Sequence, residues 1–244
     1  MNRFYYDLHI HSCLSGCADN ENTPNNIIGM GKLNGLDIMA LCDHNSTLNC
    51  PAFFDAAERN GIVAIAGMEL TTSEDIHAIC LFETLEDAMN FSGEIDSRRI
   101  KIKNRTDIFG DQLILDSNDE LIGTEEYLLS NATTVSLDEV KGIVEKYSGV
   151  CYPAHIDRDA NGAISVLGDF PHDDGFKVAE LHNREKAEEY RFKYKLESLK
   201  LIFSSDAHYL WDIAERTSFV ELDAERDNPD KVRKELFKYL RGEL

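Results

Sequence analysis

Apolar residues fall in short runs, and most runs are separated by stretches with helical spacing. Tyr5–Ile10, Leu36–Cys42, Ile62–Met68, Ile76–Phe82, Gly149–Ala154, Lys177–Leu181, Leu201–Ser204 and Phe219–Leu222 read as strands, rich in branched and aromatic residues. The spacing predicts helices between them. Thr23-Pro24 opens one, with Thr as N-cap and Pro in the first turn, and Asn34-Gly35 ends it. Pro51–Asn60, closed by Gly61, is a second, and Thr84–Ser97 a third. Ser136 and Glu139 form a capping box at the head of Ser136–Tyr147. Glu185–Leu199 reads as a charged helix, and Asn228-Pro229 starts a terminal one. Arg98–Thr134 lacks a clear period and is long for a loop; it is expected to be an excursion with a short helix near Thr124–Leu129.

Alternating strands and helices over 244 residues indicate an α/β fold, either a barrel or a doubly wound sheet, in one domain over 1–244. No Gly-rich phosphate loop follows the first strand, which counts against a dinucleotide-binding sheet. Only a few residues separate the third and fourth strands, too few for a parallel crossover. These two strands should therefore be antiparallel neighbours, with Glu69 beside His77.

Polar residues collect at one end of this arrangement. His9 and His11 (DLHIHS) sit two apart at the end of the first strand, so both project to one face. Asp43 and His44 end the second strand, Glu69 the third and His155 the fifth; His77 begins the fourth, and Asp206 and His208 end the seventh. In a barrel this rim is where active sites form. Six of the eight histidines lie there. Imidazole nitrogen with carboxylate oxygen suits Zn²⁺, Mn²⁺ or Fe²⁺ better than Mg²⁺ or Ca²⁺. Eight candidate ligands exceed the need of one ion, so a bridging Glu and two or three divalent ions are expected. Clustered ions of this kind assist phosphoester hydrolysis.

DLHIHS, LCDHNS, GMEL, the His77 strand, PAH at 153–155 and SSDAH at 204–208 together resemble the PHP (polymerase and histidinol phosphatase) family, in order and across most of the chain. The resemblance implies a distorted seven-stranded TIM-like β/α barrel. It implies phosphate-ester hydrolysis with a metal-bound hydroxide, not a side chain, as nucleophile. It places His9, His11, Glu69 and Asp206 on one metal, Glu69, His77 and His155 on a second, and His44 and His208 on a third, with Asp206 and His208 at the catalytic centre. Asp43 is expected to bond a ligand imidazole from outside. Three-metal relatives usually carry Asp five residues after the second His of the first motif. Here that position is Gly16, which leaves the third site empty, weak, or completed by Asp19 or Cys17.

Arg158, Arg184 and His182 lie at the same rim and are candidates for binding substrate phosphate. Trp211 is expected to pack against the barrel, with base stacking as its other reading. The net charge of −20, from 45 acids and 25 bases, favours a small phosphorylated substrate or nucleotide. A basic strip at Arg98–Lys103 keeps a 5′–3′ exonuclease on short DNA or RNA as an alternative. A non-catalytic metal-binding regulatory module is a second alternative, resting on Gly16 alone. An amidohydrolase fits less well, since no strand-end Lys stands in a bridging position. Six cysteines without a CxxC pair, and no leader or membrane-spanning run, make a cytoplasmic location with reduced thiols the expectation. Nothing in the sequence indicates a protein partner. The excursion at 98–134 is placed to act as a lid over the rim.

Overall fold

Local signals set most element ends in the computed structural model, which describes residues 1–244. The elements run β1 (Asn2–Ile10), α1 (Pro24–Leu33), β2 (Ile38–Leu41), α2 (Cys50–Asn60), β3 (Val63–Thr71), β4 (His77–Phe82), α3 (Leu85–Asp96), α4 (Thr106–Phe109), β5 (Leu113–Leu115), β6 (Leu121–Thr124), α5 (Leu137–Lys146), β7 (Val150–Pro153), α6 (Ala163–Leu167), β8 (Val178–Glu180), α7 (Ala187–Lys193), β9 (Lys200–Ile202), β10 (Phe219–Leu222) and α8 (Pro229–Arg241). The Thr23 hydroxyl accepts from the Asn26 N–H at the head of α1. Gly61, at φ 71°, turns the chain out of α2 in the left-handed conformation that glycine adopts without strain. The Ser136–Glu139 box caps α5. Caps of this kind each stabilise a helix by about 1 kcal/mol.

Six strands form one sheet in the order β10-β1-β2-β3-β4-β7, and β8 and β9 form a parallel pair. β1, β2 and β3 are mutually parallel; β4 runs opposite to both β3 and β7. The sheet curls toward the pair. The Ile156 N–H donates to the Glu180 carbonyl at 2.9 Å on one side, and the His11 N–H to the Ala207 carbonyl at 3.0 Å on the other. The expected ring of seven strands is thus a curled sheet plus a parallel pair, joined by single bonds and not by continuous ladders. Asp7 fastens the last seam: its buried carboxylate accepts from the Ser205 N–H and hydroxyl and from the Ala214 N–H.

Side-chain parity builds the interior. Phe4, Tyr6 and Leu8, Ile38 and Ala40, Val63 and Ile65, Ile79 and Leu81, Tyr152 and Val178 form one buried cluster, which α8 closes with Val232, Leu236 and Phe237. Glu69, His77 and Glu180 follow the same alternation and so stand on the same face as this cluster. β1 changes phase on the way. Its register slips between Asp7 and Ile10, so Ile10 joins the outer cluster under the helices, and His9 and His11 turn inward.

Two expectations are corrected. Residues 124–129 are not helical; the excursion contains α4 and a β5–β6 hairpin. Asp116 Oδ1 accepts from the N–H groups of Asn118 and Glu120, and Asp119 takes φ 62°, which makes the tight turn. The predicted helix at 185–199 is a 3-10 turn over Arg184–Lys186 followed by an α-helix over Ala187–Lys193, and Lys195 at φ 53° lies just past its end. No helix is long and apolar enough to cross a membrane.

Candidate metal centre

Glu69 stands at the centre of the rim, fully surrounded. Its Oε1 lies 2.8 Å from His77 Nδ1, 3.1 Å from His155 Nε2 and 3.4 Å from His9 Nε2. Its Oε2 lies 3.2 Å from His11 Nε2 and 3.1 Å from His44 Nδ1. The two oxygens of one carboxylate therefore divide five imidazoles into two sets. Asp206 Oδ1 adds a second carboxylate, 3.3 Å from His9 Nε2 and 3.1 Å from His11 Nε2. His208 lies at the edge, its ring 4.3 Å from that of His11 and its Nδ1 2.9 Å from the Asp206 carbonyl. All eight predicted ligands come together. In register, Glu69 faces Ile79 while His77 faces Thr71, so the expected Glu69–His77 neighbours meet diagonally across the β3–β4 pair.

Three overlapping groups have donor atoms all within 4.8 Å of one another: His9, His11, Glu69 and Asp206; His44, Glu69 and His77; His11, His44 and His208. His155 stands against the first two through Glu69 Oε1. His155 and Asp206 hold positive φ, 25° and 52°, in a region that costs a non-glycine residue roughly 1–3 kcal/mol. That strain lies at two ends of strands that present donors.

Supporting bonds fix which nitrogen each ring presents. Glu180 Oε1 accepts from His9 Nδ1–H at 2.9 Å, which turns His9 Nε2 toward Glu69 and Asp206. The Ser15 hydroxyl donates to Asp43 Oδ1 at 2.7 Å, so its oxygen accepts from His11 Nδ1–H at 3.1 Å. Asp43 also accepts from the Ser12 N–H and hydroxyl. The expected bond from Asp43 to an imidazole is absent. Asp43 touches none, because Ser15 stands between. Glu180 was not anticipated, although it is the buried acid that orients His9 and accepts from the His155 N–H. Its one signal was parity: an acid two residues after Val178, on the inward face of an apolar strand.

The charges balance inside the cluster. Burial opposes the charged form of Glu69, yet His77, His9 and His44 hold it well below the usual carboxylate range. Burial likewise opposes protonation of His9, but Glu180, Asp206 and Glu69 raise it well above an ordinary imidazole. His44 is raised against its burial by Cys17 and Glu69. His77 is lowered, mainly by burial. These residues fit bound cations. The Nδ1 atoms of His44, His77 and His155 and Glu180 Oε2 are buried without a hydrogen-bond partner, since the His44 and His77 contacts to Glu69 lack hydrogen-bond geometry. Unpartnered donor atoms around an anionic hub suit divalent ions with nitrogen and oxygen ligands.

Arg158, His182 and Arg184 share one open cavity of about 530 Å³ with Asp206. Arg158 bonds Asp206 Oδ2 with one nitrogen and lies 3.1 Å from His182 Nδ1 with another. Arg184 lies over the Phe203 ring and donates to the Ser218 hydroxyl. Trp211 does not pack against the barrel. It is 73% exposed and stacks on Tyr209, with centroids 4.8 Å apart. The basic strip is neutralised: Arg98 pairs with Glu94 and Glu139, Arg99 with Asp96 and Glu125, Lys101 with Asp96 and Lys103 with Glu126. The excursion rests on the ligand-bearing loops. Leu113 N–H donates to the Cys13 carbonyl, and Asn45 donates to the carbonyls of Leu129 and Asn131.

Residues 7–209 match the family model described as the PHP domain. No curated protein matches the chain significantly. Among solved structures, the lesion-specific endonuclease Q of Pyrococcus furiosus superposes with TM-score 0.65 at 17% identity, covering 99% of this chain and 56% of its own. This chain thus spans about half the length of that enzyme. A proposed metal-dependent phosphoesterase of Bifidobacterium adolescentis gives 0.58 at 17% identity, covering 95% of each chain. An amidohydrolase of Chromobacterium violaceum, with bound sulfate and no metal, gives 0.61 at 19%, covering 89% of this chain and 91% of its own. At these identities the likeness is one of fold.

Proposed function

The chain belongs to the PHP family of metal-dependent hydrolases, and from that premise we propose that it hydrolyses phosphate esters of a small molecule or nucleotide. The observation that carries the reading is Asp206, which faces His9 and His11 with one oxygen and a cavity holding two arginines with the other. In this reading His9, His11, Glu69 and Asp206 hold one ion, Glu69, His77 and His155 a second, and His44 and His208 a third. The donor set suits zinc, manganese or iron. Such ions, when bound, activate water and stabilise charge on a phosphoryl group.

The chain's own residues do the rest. Glu180 and the Ser15–Asp43 pair engage Nδ1 of His9 and His11, so Nε2 of both rings points into the cluster and would face an ion once its proton is released. Asp206 touches the cluster and the cavity, which puts it against the reacting centre. His208 is held at its side by the bond from Nδ1 to the Asp206 carbonyl. Arg158 offers a planar fork that matches two phosphate oxygens. Burial and the charge of Arg158 lower the pKa of His182, so it is neutral at pH 7 and orients the guanidinium. Arg184 binds a more distant part of the substrate in the same cavity. The 98–134 excursion covers the rim and contributes to substrate choice.

A nuclease on short DNA or RNA is the second reading. The exposed Tyr209–Trp211 stack, directly after His208, offers a platform for a base. Endonuclease Q, which shares the fold, has been solved with a 27-mer duplex carrying an abasic lesion at its active site. The neutralised strip at Arg98–Lys103 argues for small substrates. The test is metal content of untagged protein together with phosphate release from monoesters, nucleotides and short oligonucleotides. Metal-dependent release that Asp206→Asn abolishes supports the proposal. Release that persists in that variant, or none with Mn²⁺ or Zn²⁺ added, overturns it.

A further inference from the structure

Two of the buried cysteines face each other across the sheet. β4 and β7 pair antiparallel, with Cys80 directly opposite Cys151. The Ala154 N–H donates to the His77 carbonyl at 3.0 Å, so His77 and Ala154 continue that register as a hydrogen-bonded pair. Hydrogen-bonded and non-hydrogen-bonded pairs alternate along an antiparallel ladder. Ala78–Pro153 is therefore a non-hydrogen-bonded pair, as a proline without an N–H requires, and Ile79–Tyr152 is a bonded one. Cys80–Cys151 is again non-hydrogen-bonded. In such a pair the Cα atoms are about 4.5 Å apart and the side chains stand closest. Disulfides span Cα separations of roughly 4.4–6.8 Å. Both side chains belong to the outer apolar cluster and so share a face.

Both cysteines are free. Cys80 is sealed in the core. Cys151 borders a cavity of about 200 Å³ lined also by Val144 of α5 and Leu240 of α8. A small reagent can therefore reach one sulfur of the two directly and the other only through its partner.

We propose that Cys80 and Cys151 are a redox pair that closes to an interstrand disulfide by exchange with a small-molecule disulfide, RSSR. The Cys151 thiolate attacks one sulfur of RSSR, expels RS⁻ and forms a mixed disulfide. The Cys80 thiolate then attacks the Cys151 sulfur and expels the second RS⁻. The two cysteine protons pass to the departing thiolates, so a protein dithiol and RSSR become a protein disulfide and two RSH. Burial pushes both thiols well above the ordinary cysteine range, so thiolate is scarce and the exchange is slow. The bond would tie β4, which opens at His77, to β7, which leads into His155. The loop it closes carries α3, the 98–134 excursion and α5. The inference is independent of the phosphoesterase reading.

Bis(2-hydroxyethyl) disulfide is the probe. Full-length folded protein is incubated with it, quenched with an alkylating agent and mapped by mass spectrometry without reduction. The expected product joins the peptides of Cys80 and Cys151, is two hydrogens lighter than the dithiol, and is reversed by dithiothreitol. Cys80→Ala is expected to stop at the mixed disulfide on Cys151, and Cys151→Ala to leave Cys80 unmodified. Thermal melts check the fold of both variants, and the wild-type map carries the test if either fails to fold. The cross-linked wild type is expected to melt at a higher temperature, because the bond restricts the unfolded loop. Three results overturn the proposal. One is that Cys80 and Cys151 are both fully alkylated after the sample is unfolded, while exposed Cys17 has reacted. The second is a bond from either residue to another cysteine. The third is a linked form that melts lower, which would mean that the native register does not hold the bond.

Discussion

Replacing Glu180 by Gln tests whether the outer carboxylate sets the affinity of the centre. Glu180 is buried, and its Oε1 accepts from His9 Nδ1–H at 2.9 Å and from the His155 N–H at 3.2 Å. Gln has the same shape and keeps an amide oxygen at that point, with its NH₂ in the place of the unpartnered Oε2. The packing is retained and the charge is lost. A hydrogen bond to a charged group contributes about 1.5–3 kcal/mol, and every 1.4 kcal/mol is a factor of about ten. Metal affinity is therefore expected to fall about 10- to 100-fold, the usual range for such partners. A competition titration against a fluorescent chelator reads the affinity, and urea unfolding of the metal-free protein reads the fold. The metal-free protein should also lose stability, because protonated His9 loses a buried counter-charge and an NH₂ without a partner takes the place of Oε2. A loss of affinity under twofold would refute the reasoning.

Three further outcomes are expected. Gly16→Ala forces a Cβ against the Phe109 backbone; overpacking of this kind costs about 1–3 kcal/mol, or roughly 2–4 °C of Tm per kcal/mol for a chain of this size, and an unchanged melt would mean that the excursion yields freely. Arg158→Lys keeps the charge but loses the fork, so kcat/KM for a phosphate monoester should drop about tenfold or more, and an unchanged value would remove Arg158 from substrate binding. His9 and His44 hold their protons more tightly than free imidazole, whereas bound ions require neutral rings. Loading the metal-free protein should release protons, and affinity should fall as pH falls. An indicator dye in weak buffer that records no release would contradict this.

Most of the candidate centre is legible because its donor residues obey short-range rules. His9 and His11 share a face by strand parity, and the brief β3–β4 connection brings His77 to the rim of Glu69. Glu180 escaped because one acid in KVAEL looks like an ordinary interruption until the inward face of the strand is known. The hairpin at 113–124 escaped because its turn depends on Asp116 bonding its own backbone, a choice that the run LILDSNDELIGT does not force. Trp211 was misjudged for a third reason. Apolarity argues for burial, yet the short turn at Leu210–Asp212 carries the ring out onto Tyr209. Gly16 had a cause that only the fold supplies, the carbonyl of a residue some ninety positions away. With that cause known, its absence of a side chain no longer argues for a non-catalytic module.

The seam closed by Asp7 and Ser205 has a consequence for how the protein comes into being. Those partners are 198 positions apart, and His11 and Asp206 are 195 apart. In the proposed reading His9 and His11, the earliest candidate ligands to leave the ribosome, thus share an ion with Asp206, one of the two latest. No nascent or truncated chain ending before Asp206 can assemble that group of donors. Contacts of such long range are also the slowest to form. In that reading acquisition of the ion follows synthesis of Asp206, and a chain interrupted before that residue carries no ion between these donors.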